Sequence, residues 1–92
     1  MKIAFDIDST LIKKGIDGRD VPRYDLIELY KWFESHMHHM FIWSGGGTDY
    51  AKSWAEKLGL YGATIISKDE YHEMDISVDD EDVDLAKINI KV

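Results

Sequence analysis

Cysteine is absent from this chain, and proline occurs once in its 92 residues. Without cysteine there is no disulfide framework, no thiolate metal site and no cysteine nucleophile. No apolar run approaches membrane-spanning length. The apolar residues before Asp6 are too few for the core of a signal peptide, so a soluble, cytoplasmic protein is the expectation. Basic residues are scarce, with 11 Lys and Arg against 18 Asp and Glu and a net charge of −7. That balance disfavours unaided binding to a nucleic-acid backbone, which needs a basic stripe. Repeats, low-complexity tracts and linkers are missing too, so residues 1–92 read as a single domain. A chain this short buries roughly 60–65% of its unfolded surface, enough for one modest core.

What is present reads as globular: 45% of residues are hydrophobic and 12% aromatic. Lys2-Ile3-Ala4-Phe5 is long enough for one buried strand, and Asp6-Ile7-Asp8-Ser9-Thr10-Leu11 follows directly. Side chains alternate along extended backbone, so Asp6 and Asp8 point the same way if that geometry continues past the strand. Two carboxylates so close raise each other's pKa unless something positive lies between them. A divalent cation is the usual remedy, and hard oxygen donors suit Mg²⁺.

Ile12 to Val21, with Gly15 and Gly18, reads as a turn or small flap. Pro22 sits near a helix start, and Leu26, Leu29, Tyr30 and Phe33 form a helical stripe. Met40 to Trp43 is a second strand, ended by Ser44 and three glycines. A second helix is expected from Thr48 as N-cap, with Ala51, Trp54, Ala55 and Leu58 on one face and Gly59 as its stop. Ala63 to Ile66 and Asp75 to Val78 are further strands. Lys87 to Val92 alternates like a half-exposed edge strand.

Strands alternating with helices imply right-handed crossovers and a mostly parallel sheet of about five strands. In such sheets ligands bind beyond the carboxyl ends of the strands. That rule gathers Asp6 and Asp8, Ser44, Lys68, and Asp79 with Asp80 on one edge.

The segments FDIDSTL at 5–11, FIWSGGG at 41–47, ISK at 66–68 and ISVDDED at 76–82, in this order, closely resemble the haloacid dehalogenase superfamily of phosphohydrolases. Many members have glycine where this chain has Ser9, although serine also occurs there. The resemblance implies a Rossmann-like three-layer α/β/α sandwich. The short segments after the first and third strands imply that there is no cap domain. It further implies an Mg²⁺-dependent phosphatase that hydrolyses a phosphate monoester through an aspartyl-phosphate.

In that scheme Asp6 is the nucleophile and Asp8 the general acid and base, whose backbone carbonyl also serves as a metal ligand. Thr10 orients the nucleophile loop. Ser44 hydrogen-bonds a phosphoryl oxygen, and the amides of Gly45 and Gly46 favour an anion beside it. Lys68 neutralises nucleophile and phosphate. Asp80 is expected to reach Mg²⁺ directly, with Asp79 supporting it from the lysine side.

An open site of this kind fits a phosphorylated small molecule, a nucleotide or the phosphorylated end of a macromolecule, on a monomer or small homo-oligomer with no membrane partner. Long nucleic acid is disfavoured by the acidity. Two other readings compete. A catalytically idle relative would bind phosphate or a partner only. A receiver-type signalling domain would place its acidic pair first and its lysine last, whereas here Asp79 and Asp80 follow Lys68. His36, His38 and His39 read as no more than an adventitious metal cluster. Tyr50 reads as core or rim packing ahead of a substrate contact, and Trp32, off the apolar stripe, as an exposed indole at a self-association surface.

Overall fold

In the computed structural model, which describes residues 1–92, β1 (Lys2–Phe5) is the central strand of a five-stranded sheet. It pairs in parallel with β4 (His39–Ile42) on one side and β6 (Ile76–Asp79) on the other. Beyond β4 lies the two-residue β5 (Thr64–Ile65), and beyond β6 lies β7 (Ile88–Lys91), so every pairing in the sheet is parallel. Ile3, Ala4 and Phe5 are fully buried, as a central strand covered on both faces requires. β7 forms one edge, and Ile88 there is 54% exposed.

The segment after β1 is an antiparallel hairpin of β2 (Ile12–Lys14) and β3 (Asp20–Pro22), with Pro22 at its end. α1 (Tyr24–Ser35) follows and buries Leu26, Ile27 and Tyr30, while Leu29 and Phe33 pack at the margin of the core. α2 (Thr48–Lys57) buries Ala51 and Ala55. Its N-cap is Gly47, at φ 99°, and not Thr48, which is already the first helical residue. The glycine turns the chain sharply into the helix in a conformation that a residue with a Cβ resists. At the other end the helix closes as expected on Gly59, at φ 73°. Leu60 N–H donates to Ala55 O at 2.8 Å and Gly59 N–H to Glu56 O at 3.1 Å, a Schellman closure that carries Leu60 into the core.

Topology decides what covers each face. The connections β1–α1–β4 and β4–α2–β5 step toward one edge, whereas β5 to β6 and β6 to β7 step toward the other. Right-handed crossovers therefore place the first two connections on one face and the last two on the opposite face. The cores agree. Ile3, Phe5, Met40, Ile42, Ile76 and Val78 share one cluster with the buried residues of both helices. Each such large side chain contributes roughly 1.5–3 kcal/mol on burial. Ala4, Phe41, Trp43 and Met74 form a smaller cluster, against which Ile66, Leu85 and Ala86 pack.

Thus the sheet and one helical layer are present, and the second face is covered by the irregular segments 66–75 and 80–87. Neither segment has an apolar stripe of helical period, and acidic residues crowd the second. Asn89 organises that segment: its Oδ1 accepts from Ser77 Oγ at 2.7 Å and from the amides of Leu85 and Ala86 at 2.9 and 3.0 Å. No helix is long and apolar enough to cross a membrane.

Candidate functional site

The register fixes where the polar residues emerge. Phe5 lies level with Ile42 and with Val78, so Asp6 leaves the sheet beside Trp43 and Asp79. Asp6 N–H still donates to Val78 O at 3.0 Å, which ties the first acidic residue to the end of β6. Asp6 is 5% and Asp79 1% exposed, so two carboxylates are buried side by side. Burial of that kind is tolerated only with a compensating charge.

Lys68 supplies it. Its Nζ lies 3.1 Å from Asp6 Oδ1 and 2.7 Å from Asp79 Oδ2. Burial opposes the ammonium, but the hydrogen bonds to Asp79 and Asp6 outweigh it and hold the Lys68 pKa above its ordinary value. Asp6 moves upward as well, from 3.8 to about 6. Loss of hydration is the main cause, and the charge of Asp79 adds to it, while Lys68 and the Ile7 amide pull the other way.

One ammonium does not balance the acidic groups gathered here. Asp6, Asp79 and Asp80 each place a carboxylate oxygen within 4.8 Å of the others. Asp80 is only half-buried, whereas Asp79 also accepts from Glu81 N–H at 3.0 Å. Three carboxylates against one ammonium leave an excess of negative charge that a divalent cation would neutralise. All three donors are hard oxygens, the donor type that Mg²⁺ prefers. The residues therefore fit such an ion.

The loop that carries Asp8 folds tightly on itself. Ile7 O accepts from the amides of Thr10, Leu11 and Ile12 at 3.0–3.1 Å, and Ser9 adopts a left-handed φ of 60°. That backbone explains why glycine suits this position and why a short polar residue is also accommodated. Arg23 Nη1 donates to Ser9 O at 3.0 Å and fastens the turn to the start of α1. Thr10 is fully buried, and its Oγ1 donates to Asp6 Oδ2 at 3.4 Å.

Asp8 is exposed, and its carboxylate stands outside the Asp6, Asp79 and Asp80 cluster. It is held instead by Tyr50, whose hydroxyl donates to Asp8 Oδ1 at 2.5 Å. That bond, together with partial burial, pushes the Tyr50 pKa up to about 12.

Ser44 is 2% exposed at the end of β4. Its Oγ accepts from Gly46 N–H at 3.0 Å, so the hydroxyl proton remains available for an anion. The Gly46 amide is thereby occupied, and Gly45 keeps the free one of the two. Gly46 has a packing reason to lack a side chain: a Cβ there would lie 3.1 Å from Tyr50 Cδ2 and 3.4 Å from Ser44 Oγ.

The structure thus brings Asp6, Lys68, Asp79 and Asp80 into one cluster, sets Thr10 against Asp6, and places Ser44 at the end of the neighbouring strand. The contact between Tyr50 and Asp8 lay outside the site residues read from the sequence. Its only signal there was an aromatic residue in the first turn after the glycine loop. The three histidines of 36–39 do not converge. His36 donates to Trp32 O at 2.7 Å, His38 meets the N-terminal amine at 3.1 Å and His39 meets Thr64 Oγ1 at 3.0 Å. Trp32 is 55% exposed, with its indole stacked on His36 at a centroid separation of 4.0 Å.

No protein-family model matches the chain, and neither a curated protein nor a solved structure does.

Proposed function

We propose that the chain is an Mg²⁺-dependent phosphomonoesterase of the haloacid dehalogenase type. It would be a minimal, capless form of that three-layer Rossmann-like fold, with its third layer reduced to irregular chain. The observation that carries the reading is Lys68 Nζ between the buried carboxylates of Asp6 and Asp79, with Asp80 alongside. A lysine between an acid at the end of one strand and an acid pair at the end of its neighbour is what covalent phosphoryl transfer to a carboxylate needs. It screens the nucleophile from its acidic neighbour and draws in the anionic substrate.

In this reading an Asp6 oxygen attacks phosphorus, and the bond from phosphorus to the leaving oxygen breaks. Asp8 gives that oxygen its proton. Asp8, now ionised, takes a proton from water. The water oxygen attacks phosphorus, the bond to Asp6 breaks, and phosphate departs. Ser44 Oγ and the Gly45 amide hydrogen-bond phosphoryl oxygens, and Lys68 balances their charge. Asp6, Asp79 and Asp80 would hold Mg²⁺, with the Asp8 carbonyl as a further ligand. The bound ion supplies charge neutralisation at the phosphoryl group.

Between β1 and α1 lies only the short hairpin of β2 and β3, and little chain separates β5 from β6. In this reading neither segment is large enough to be a cap, and the site would be open. An open site suits a small phosphate ester, a nucleotide or the phosphorylated end of a macromolecule. The test is Mg²⁺-dependent release of phosphate from a generic monoester, with acid-trapped phosphate on Asp6 located by peptide mapping. A folded protein that binds phosphate but neither turns over nor becomes labelled would be an idle relative, and the hydrolase reading would fall.

A further inference from the structure

Tyr50 touches both halves of the proposed site. Its ring lies against Gly46 in the anion loop, 3.1 Å from where a Cβ would stand, and its hydroxyl reaches Asp8 Oδ1 at 2.5 Å in the nucleophile loop. Those loops follow β1 and β4, neighbouring strands at the centre of the sheet. Apart from Tyr50, no protein group hydrogen-bonds the Asp8 side chain, so this exposed carboxylate would otherwise sample several rotamers. α2 holds Tyr50 firmly, because Ala51 beside it is fully buried and the ring itself packs on the core.

We propose that Tyr50 is a positioning residue that selects which oxygen of Asp8 transfers the proton. The inference rests on the phosphomonoesterase reading. The tyrosine hydroxyl donates to Oδ1, so the proton Asp8 gives to the leaving group is carried by Oδ2. After transfer the same hydrogen bond supports the carboxylate that takes a proton from water. Tyr50 donates the same hydrogen bond in both steps and gives up no proton in either. Gly46 suits the same device: a Cβ there would lie 3.1 Å from Tyr50 Cδ2, and the ring would have to give by a few tenths of an ångström.

A role confined to Asp8 is separable from a structural role by leaving group. Nitrophenolate departs without a proton, whereas an alkoxide needs one. The experiment measures single-turnover leaving-group release from p-nitrophenyl phosphate and from n-butyl phosphate with Mg²⁺ present, for wild type, Tyr50→Phe, Asp8→Asn and the double variant. Tyr50→Phe keeps the ring on Gly46 and removes only the hydroxyl.

The expected result is a fall of about tenfold to a hundredfold on n-butyl phosphate, the worth of one hydrogen bond to a charged group, and less than about threefold on p-nitrophenyl phosphate. In the Asp8→Asn background, Tyr50→Phe should cost nothing further on either ester. Equal losses on both esters, or additive losses in the double variant, overturn the proposal. A folded wild type inert toward both esters overturns the hydrolase reading, and this inference with it. Turnover by the wild type with an unaltered Tyr50→Phe overturns this inference alone.

Discussion

Lys68 and Asp79 meet at 2.7 Å, although β5, which Lys68 follows, and β6, which Asp79 ends, are separated in the sheet by β4 and β1. Three strand spacings amount to about 14 Å, well beyond the reach of a lysine side chain. The contact exists because β5 lies at one edge and the chain must return across the sheet to enter β6. Lys68 stands at the start of that return. His72 Nε2 donates to Ser67 O at 2.8 Å and closes the loop around it. Chain topology, and not length of side chain, brings the cation to the middle of the site.

Replacing Lys68 with Met should therefore damage stability as well as activity. It leaves Asp6 and Asp79 buried together without their shared counter-charge. We expect a loss of about 2–3 kcal/mol near neutral pH, at or just below the range for a broken buried pair because the lysine keeps some exposure. Urea unfolding in chelator measures it, and excess Mg²⁺ should recover part of the loss. An unchanged midpoint would mean that the lysine does not hold these acids.

Asp6→Asn should have opposite effects on activity and stability. The amide keeps the shape but is a poor nucleophile, so turnover and covalent labelling should both vanish. In metal-free buffer near pH 7 the variant should nevertheless be more stable than wild type, because the ionised Asp6 carboxylate is held there against the cost of its burial. Wild-type turnover by Asp6→Asn would rule out covalent catalysis at this residue.

The same group sets a pH dependence. Its native pKa of about 6 lies above its ordinary value of 3.8, so between those limits the folded state binds more protons than the unfolded state. Stability falls as pH rises through that window. The penalty is absent below about pH 4 and complete above about pH 6, with an upper bound of about 3 kcal/mol. The quantity to follow is the difference in unfolding free energy between wild type and Asp6→Asn, measured in chelator from about pH 4 to pH 7. A difference that stays flat, or slopes the other way, contradicts the assignment.

Asp80→Asn separates metal binding from architecture. Asp80 makes no side-chain hydrogen bond within the protein and is half-exposed, unlike Asp79. Its substitution should leave metal-free stability within about 0.5 kcal/mol of wild type, the range for surface changes. The stabilisation gained from Mg²⁺ should shrink with the weakened affinity. Thermal unfolding across a magnesium titration reads both. An unaltered titration curve would remove Asp80 from the metal site.

Much of this arrangement was legible in the sequence because strand ends are. The apolar run before Asp6 and the apolar run before Ser44 each stop at a polar residue, and a parallel sheet collects such ends on one edge. Lys68 was legible by its place in the order of segments but not by its path, since nothing local in Ile66-Ser67-Lys68 shows that the chain turns back there. The covering of the second face was not legible. A helical layer was expected from the resemblance, yet segments 66–75 and 80–87 have no stripe to form one, and the cluster of Trp43, Met74, Leu85 and Ala86 assembles residues far apart in sequence. Thr48 looked like a cap because its hydroxyl suits one, but the steep entry into α2 needed the φ of Gly47.

The sharpest division within the site is between proton transfer and phosphate capture. Asp8→Asn should slow turnover by roughly two to four orders of magnitude, the usual worth of a positioned general acid or base. With an activated leaving group, formation of the aspartyl-phosphate needs that acid little, while its hydrolysis still needs the base, so the intermediate should accumulate. Ser44→Ala removes a hydroxyl whose oxygen already accepts from Gly46 N–H and whose proton is free for a phosphoryl oxygen. The Gly45 amide and Lys68 should compensate in part, which gives a smaller loss shared between binding and rate and no trapped intermediate. Rapid mixing with p-nitrophenyl phosphate distinguishes the two variants. Asp8→Asn should release a burst of nitrophenolate close to one equivalent per protein and then run slowly, whereas Ser44→Ala should be slow from the start. A stoichiometric burst from Ser44→Ala and none from Asp8→Asn would reverse the two roles, and would make the hydrogen bond from Tyr50 to Asp8 a feature of the resting fold alone.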